Sequence, residues 1–408
     1  MHYHRRNSCR VCGNRKLKKI LNLGSTALAN AFVQPSKITT RDATYPLQLV
    51  FCPECSLVQL GHVVDPSVLF SGYHYLTSGS PVLIEHFQKE AEDIAKRYNL
   101  QKNDLAVEIG SNDGVLLSHI QDRTRVLGVD PANTAAAEAA KRGVKTVLDF
   151  FGERVAKKIV AEHGQAKVIF ANNVIAHIDN IDDVFKGIQI LLRDDGAFVA
   201  EAHWVGNLIG DGGFDQIYHE HLSYFSLHAM RRLAEKFGFV VADVEMVPIH
   251  GESLRFYIQK KGKPSARVAK LISREKRLGL DSIAAYARFV PKVEKNKREL
   301  RKLLDTLKKK RVSIAGYGAS AKGNTLLNYM RITKKHLDFI TDTIPLKQGT
   351  FTPGAHIPVV PPDMLFSKRP DYLLLLAWNY APSILHKERA LRAQGTKFII
   401  PVPKVRVV

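Results

Sequence analysis

The sequence predicts an α/β protein in three parts: an N-terminal cysteine module, a doubly wound parallel sheet ending in a hairpin, and a smaller C-terminal α/β unit reached through helices. Three observations predict it. All four cysteines fall in two closely spaced pairs near the N-terminus, strand-like and helical segments alternate from about residue 80, and two glycine-rich loops each sit between a strand and a helix. A chain of 408 residues is also too long for one ordinary core. The expected boundaries are 1–75 for the cysteine module, 76–262 for the sheet domain and 263–408 for the helices and the last α/β unit.

The cysteine pairs are Cys9-Arg10-Val11-Cys12 and Cys52-Pro53-Glu54-Cys55. Two residues between thiols let both reach one tetrahedral zinc ion, and Gly13 and Pro53 suit the tight turns such a knuckle needs. Two disulfides or a redox pair are the alternatives, but nothing points to an oxidising compartment. Four thiolates would close the zinc shell, so the expected metal is structural. Tyr45 to Phe51 reads as a strand entering the second pair.

Pro81 to Tyr98 reads as an amphipathic helix. Buried strands are expected at 105–109, 126–130, 144–149, 168–172 and 196–202, with helical sequence between them. A helix over 227–237, capped by Ser226, precedes strands at 239–247 and 253–259. That closing hairpin separates the pattern from a nicotinamide-binding sheet. The first strand ends in Glu108-Ile109-Gly110-Ser111-Asn112-Asp113-Gly114, where glycine lets a ligand approach the backbone. Asp130 ends the second strand and suits two ribose hydroxyls; Asp149 ends the third with Phe150 beside it, suited to an adenine. Each acid also reads as a helix cap.

The densest polar cluster is Ile217-Tyr218-His219-Glu220-His221-Leu222-Ser223-Tyr224, after a glycine-rich stretch. Two histidines, a glutamate and two tyrosines are costly to bury without a task. A second metal site is the alternative, but Glu220 and His221 are adjacent and the spacing His-Glu-x-x-His is absent, so acid–base work is the expectation. The fourth strand runs into Asn172-Asn173-Val174-Ile175-Ala176-His177. The acidic-Pro-Pro-aromatic motif of amino methylation is missing there.

Residues 271–310 read as helical, interrupted near Gly279 and Pro291. A strand at 312–315 then enters Gly316-Tyr317-Gly318-Ala319-Ser320-Ala321-Lys322-Gly323-Asn324-Thr325. Backbone N–H groups at a helix start, with Lys322 and the hydroxyl of Ser320, form a phosphate cradle, though not the Walker spacing. Asp342 ends the next strand.

These blocks together carry a resemblance. The 108–114 loop resembles the first motif of class I methyltransferases. The cysteine quartet, the Tyr218–His221 segment and the Gly316–Thr325 block resemble, in order and over nearly the whole chain, the S-adenosylmethionine-dependent sugar C-methyltransferases of deoxysugar biosynthesis. The resemblance implies a seven-strand class I methyltransferase sheet and a C-terminal Rossmann-like domain that helps hold a nucleotide sugar. It implies methyl transfer to carbon 3 of a nucleotide-linked, dTDP-type 4-keto-deoxyhexose. His221 would be the base or enolate-stabilising group; Tyr218 would hold the sugar or enolate. Glu220 would orient His221 or contact the carbon-3 substituent, and His177 would face the same pocket. S-adenosylmethionine would lie on Glu108, Gly110, Asn112, Gly114, Asp130, Asp149, Phe150 and Asn172. The sugar nucleotide would meet Ser320, Lys322 and Asn324, with Tyr73 or Tyr75 closing the pocket. Zinc would sit on Cys9, Cys12, Cys52 and Cys55.

Charge sets the competing reading. Sixty Lys and Arg against 39 Asp and Glu leave +21, which favours a polyanionic partner or simply solvates the basic helical stretch 260–311. A methyltransferase acting on RNA or another small molecule, with the zinc module as the grip, would show salt-dependent RNA binding. The expected partner is nevertheless a nucleotide sugar and no nucleic acid. Apolar runs such as 372–378 are too short to span a bilayer, so no membrane is expected. The N-terminus lacks the apolar stretch of a signal peptide, so a cytoplasmic location is expected, as a monomer or weak homo-oligomer.

Overall fold

The computed structural model of the chain describes residues 2–69, 76–210, 212–249 and 251–408. Its centre is a seven-stranded sheet. From one edge the strands are Val240–Val247, Ser253–Gln259, Leu192–His203, Ala166–Asn172, Leu105–Ile109, Arg125–Val129 and Thr146–Val147. Ser253–Gln259 is inserted antiparallel between its neighbours; the five strands from Leu192–His203 outward are mutually parallel. The parallel strands are continuous apolar runs because helices cover both faces. Leu105–Ile109 is buried at every position.

Parallel order puts all five carboxyl ends on one edge, where ligands of such sheets bind. The strand expected at 144–149 is reduced to Thr146–Val147. Asp149 and Phe150 therefore leave the sheet as an exposed loop, with Phe150 62% exposed.

The N-terminal residues form an antiparallel sheet of Lys18–Ala27, Thr44–Phe51 and Val58–Leu60. Its fourth strand, Ser223–Tyr224, comes from the central domain and pairs with Val58 and Gln59. Sequence did not indicate this shared sheet, because a two-residue strand carries no periodicity. The C-terminal sheet is parallel over Val359–Val360, Ile340–Thr341, Ile314–Tyr317, Tyr372–Leu375 and Lys397–Ile400, with Arg406–Val407 antiparallel at its edge.

Two helices join the sheets, Ala266–Leu278 and Ile283–Lys309. Gly279 stops the first at φ +71°. Pro291 does not interrupt the second, contrary to the sequence expectation. Proline removes one N–H, but Tyr286, Phe289 and Val293 bury the helix on both sides of it. Lys292, Lys295 and Arg298 lie on its exposed face, so part of the +21 charge solvates a helix.

Glu275 of the first helix locks it to the central domain. Its carboxylate accepts from Trp204 Nε1 at 2.8 Å, Leu227 N at 2.7 Å and His228 N at 3.1 Å. It thereby satisfies the first turn of helix Leu227–Lys236 beside the Ser226 cap, whose Oγ accepts from Ala229 N at 3.0 Å. Replacing Glu275 with Ala leaves three buried donors unmatched. We expect Glu275→Ala to cost about 3 kcal/mol, read as a lowered first thermal transition, and Glu275→Gln to recover part of it.

Candidate active site

The cysteine pairs converge. Their four Sγ atoms lie within 4.8 Å of one another, with Cys9–Cys55 and Cys12–Cys52 each at 3.4 Å. A tetrahedron with ~2.3 Å zinc–sulfur bonds has edges of ~3.8 Å, so the quartet fits zinc. The contact with Cys52 pushes the Cys9 thiol up to about 12, a conflict that a divalent cation removes by holding all four as thiolates.

Between the first two cysteines, Arg10 points inward and is 3% exposed. Its Nη1 donates to the carbonyls of Leu60 and Leu222, both at 3.1 Å, and its Nε donates to Asp179 Oδ1 at 2.9 Å. Leu222 follows His221, and Asp179 lies two residues past His177. Burial lowers Arg10 only to about 10, so it stays cationic. Leu60 N also donates to Leu222 O at 2.9 Å.

Four rings gather at the carboxyl edge of the central sheet. His221 lies 4.0 Å, centroid to centroid, from Tyr218, and 5.0 Å from both His177 and His203. The Gln216 carbonyl can only accept, so its 2.9 Å contact assigns the proton to His221 Nδ1. The other nitrogen, Nε2, is then an acceptor, 2.7 Å from the Tyr218 hydroxyl. Burial holds His177 down at about 4, so it is neutral near pH 7. His219 turns away, with Nε2 3.1 Å from the Tyr45 carbonyl of the zinc module.

Glu220 is 4% exposed, and burial pushes its carboxyl up to about 7. Its Oε1 accepts from Asn30 Nδ2 of the zinc module at 2.7 Å. Tyr73 and Tyr75 lie outside the described residues.

The 108–114 loop is built for close approach. Gly110, Asn112 and Gly114 take φ of +67°, +49° and +72°. A Cβ on Gly110 would fall 2.4 Å from Val174 Cγ2. Asp130 accepts from Asn112 N and Ala132 N, each at 2.9 Å, and Asn112 Oδ1 accepts from Thr77 N at 2.9 Å. Around this loop Glu108 Oε2, Asp113 Oδ1, Asn172 Oδ1 and Asn173 Oδ1 are buried without partners among the described residues. Burial raises the Glu108 carboxyl well above its usual range. Orphaned acceptors suit a ligand that brings N–H donors and positive charge, as S-adenosylmethionine does. Asp149 is paired with Arg154 at 2.5 Å, beside exposed Phe150.

His86, Glu90 and Glu201 also come within metal-binding reach. Arg255 lies 2.5 Å from Glu201 and 3.3 Å from Glu90, and burial together with Glu201 pushes the Glu90 carboxyl well above its usual range, so one cation answers the group without an ion. Glu90 in turn accepts from Asn172 Nδ2 at 3.0 Å, which places that residue.

In the C-terminal loop Ser320 Oγ caps the next helix through Gly323 N at 3.0 Å. Asp342 accepts from Ala319 N at 2.8 Å, the same device as Asp130 with Asn112. Lys322 is partly buried and faces Asp215. Asn324 is fully buried, and its Nδ2 donates to the Ala29 carbonyl at 2.7 Å; its amide joins two modules rather than lining an open cradle.

Arg10, Asn30, Asp215 and His203 were not identified from sequence. His203 ends the fifth strand, the position corresponding to Asp130 in the second, and that place was the available signal. For the other three, only pairing across modules reveals a role.

This fold and this site define a methyltransferase, and comparison with known proteins gives the family. Three family models match in sequence order: a zinc binding domain over residues 9–70, a methyltransferase domain over 83–244 and a C-methyltransferase C-terminal domain over 248–403. The C-methyltransferase NovU of Streptomyces niveus is 36% identical over 406 residues, 98% of this chain and 97% of NovU. The chain belongs to this C-methyltransferase family and is an S-adenosylmethionine-dependent enzyme with a zinc-binding module. An uncharacterized methyltransferase of Schizosaccharomyces pombe is 30% identical over 125 residues, 29% of this chain and 48% of that protein. Among solved structures, a SAM-dependent methyltransferase from Anabaena variabilis covers 43% of this chain and 84% of its own, at 16% identity and a TM-score of 0.35. Among the described residues no helix is long and apolar enough to cross a membrane.

Two outcomes follow. Mass analysis should find about one zinc per chain, falling to near zero in Cys55→Ser. Glu220 has a folded value of about 7 against an ordinary 4.5, so its proton stabilises the fold; that contribution is complete below 4.5 and is lost as pH rises through 7. Glu220→Gln should therefore melt like the wild type at pH 5 and about 2–4 °C higher at pH 8, by calorimetry.

Proposed function

We propose that the enzyme methylates carbon 3 of a nucleotide-linked, dTDP-type 4-keto-deoxyhexose through an enolate. The observation that carries this reading is the His221 tautomer. With Nδ1–H held by the Gln216 carbonyl, Nε2 is a neutral base on a side chain that is 4% exposed. Carbon is a poor nucleophile until a proton beside a ketone is removed, and a neutral imidazole does this near pH 7.

With the sugar bound, the Tyr218 hydroxyl turns from His221 Nε2 to donate to the carbon-4 oxygen as charge builds there, and the freed Nε2 takes the carbon-3 proton. His177 lines the same pocket as a neutral ring. Glu220, held by Asn30, meets the carbon-3 substituent. S-adenosylmethionine, when bound, supplies the electrophilic methyl group. Glu108, Gly110, Asn112, Gly114, Asp130 and Asn172 hold it, with Asp149 and Phe150 at its adenine end. Ser320 and Lys322 face the diphosphate, and Tyr73 or Tyr75 closes the pocket. The relation to NovU supports methyl transfer to carbon, and the glycine loop of the C-terminal sheet, with Lys322 facing the 214–216 turn, supports a nucleotide-bearing substrate. We place the enzyme in the cytoplasm.

The test is product analysis in deuterated water with methyl-labelled S-adenosylmethionine and dTDP-4-keto-6-deoxyhexoses. The expected result is label on carbon 3, with His221→Asn lowering turnover and carbon-3 exchange together by about 10²–10⁴-fold. Neither methylation nor exchange across 3-hydroxy, 3-amino and 3-deoxy sugars would overturn the substrate reading.

A further inference from the structure

The carbonyl that sets the His221 tautomer belongs to a short turn, Phe214–Gln216, and the C-terminal domain grips that turn. The Phe214 ring lies 5.2 Å from Tyr329 of helix Ala321–Met330. Asp215, 0% exposed, accepts from Trp378 Nε1 at 2.5 Å through Oδ2. Trp378 directly follows the C-terminal ends of Tyr372–Leu375 and its short connection, on the edge that carries the glycine loop. Lys322, from that glycine loop, is the cation facing Asp215. Asp215 Oδ1 has no partner among the described residues. Burial pushes the Asp215 carboxyl up to about 6 against the opposing pull of Lys322 and Trp378.

A buried carboxylate is an expensive way to pack a turn; an apolar side chain would fill the same volume at lower cost. What a carboxylate adds is direction, because the indole has a single N–H and that donor must point at the carboxylate oxygen. One residue later the Gln216 carbonyl accepts from His221 Nδ1 at 2.9 Å and from the Tyr224 hydroxyl at 3.3 Å. The connection is therefore continuous: Trp378 indole, Asp215 carboxylate, Gln216 carbonyl, His221 imidazole.

We propose that Asp215 and Trp378 are a positioning pair through which the docked C-terminal domain orients His221 for proton abstraction. Neither residue touches the reacting atoms. Each acts through the turn, so the same sheet that presents Lys322 also sets the base. The inference rests on the proposed role of His221.

The test is steady-state kinetics of the full-length zinc-loaded enzyme with S-adenosylmethionine and an accepted keto-sugar nucleotide. Trp378→Phe keeps the ring and loses the N–H. Asp215→Asn keeps an acceptor oxygen for Trp378, and Asp215→Ala removes it. A misplaced base is expected to lower kcat by about 10- to 100-fold in Trp378→Phe and Asp215→Ala. KM for S-adenosylmethionine should stay within about two-fold, and Asp215→Asn should recover most of kcat. That recovery separates positioning from bulk stability. Folded Trp378→Phe with wild-type kcat, or Asp215→Asn no better than Trp378→Phe, overturns the pair; these two variants decide the matter if Asp215→Ala does not fold. Wild-type enzyme that methylates no keto-sugar would remove the role of His221 and the pair with it, whereas active wild type with unaffected variants removes the pair alone.

Discussion

The arrangement depends on one buried cation. Arg10 sits between two zinc ligands, yet its guanidinium reaches the Leu222 carbonyl and Asp179. It links the metal knuckle to both segments that supply site histidines, the one ending at His221 and the one holding His177. Taking a guanidinium out of water is costly unless every contact is in place. Here two carbonyls answer Nη1 and a carboxylate answers Nε, while Nη2 has no partner among the described residues, so the three contacts that are made hold the knuckle, the 177–179 loop and the 218–222 loop in one mutual geometry. Removing one partner of such a buried group costs about 3–5 kcal/mol.

The same logic extends outward. The 218–224 segment is held on one side by a shared strand pairing with the zinc module and on the other by the turn that the C-terminal domain grips. Asn30 meets Glu220, while the neighbouring Ala29 carbonyl accepts from Asn324, so the three modules meet around a few residues. The central sheet supplies the cofactor edge, and the flanking modules supply the precision. Four cysteines close the zinc shell and leave no open position on the metal, and the knuckle they form carries Arg10.

Much of this was legible in the sequence. Cysteine spacing gives the metal site because two residues between thiols match a tetrahedron. Strand–glycine–helix units give both α/β sheets; of the acids expected at strand ends, Asp130 directly follows its strand while Asp149 lies beyond a shortened one. The Tyr218–His221 cluster stands out because such residues are costly to bury. What sequence did not give is contact between modules. Arg10 and Asp215 carried no sequence signal, and Asn324 was expected against the sugar nucleotide. Each has its meaning only through a partner about fifty to three hundred residues away in the chain. The strand at 144–149 was over-extended because an apolar run looks alike in a strand and in an exposed edge loop. Pro291 was read as a break because local rules ignore the burial on either side of it.

The most direct test of this frame is amide hydrogen exchange across the chain, zinc-loaded and zinc-stripped. The account predicts that stripping raises exchange not only over 9–60 but also over 177–179 and 214–224, while strands 105–109 and 166–172 stay protected. Fast exchange confined to 9–60, with 214–224 unchanged, would contradict it.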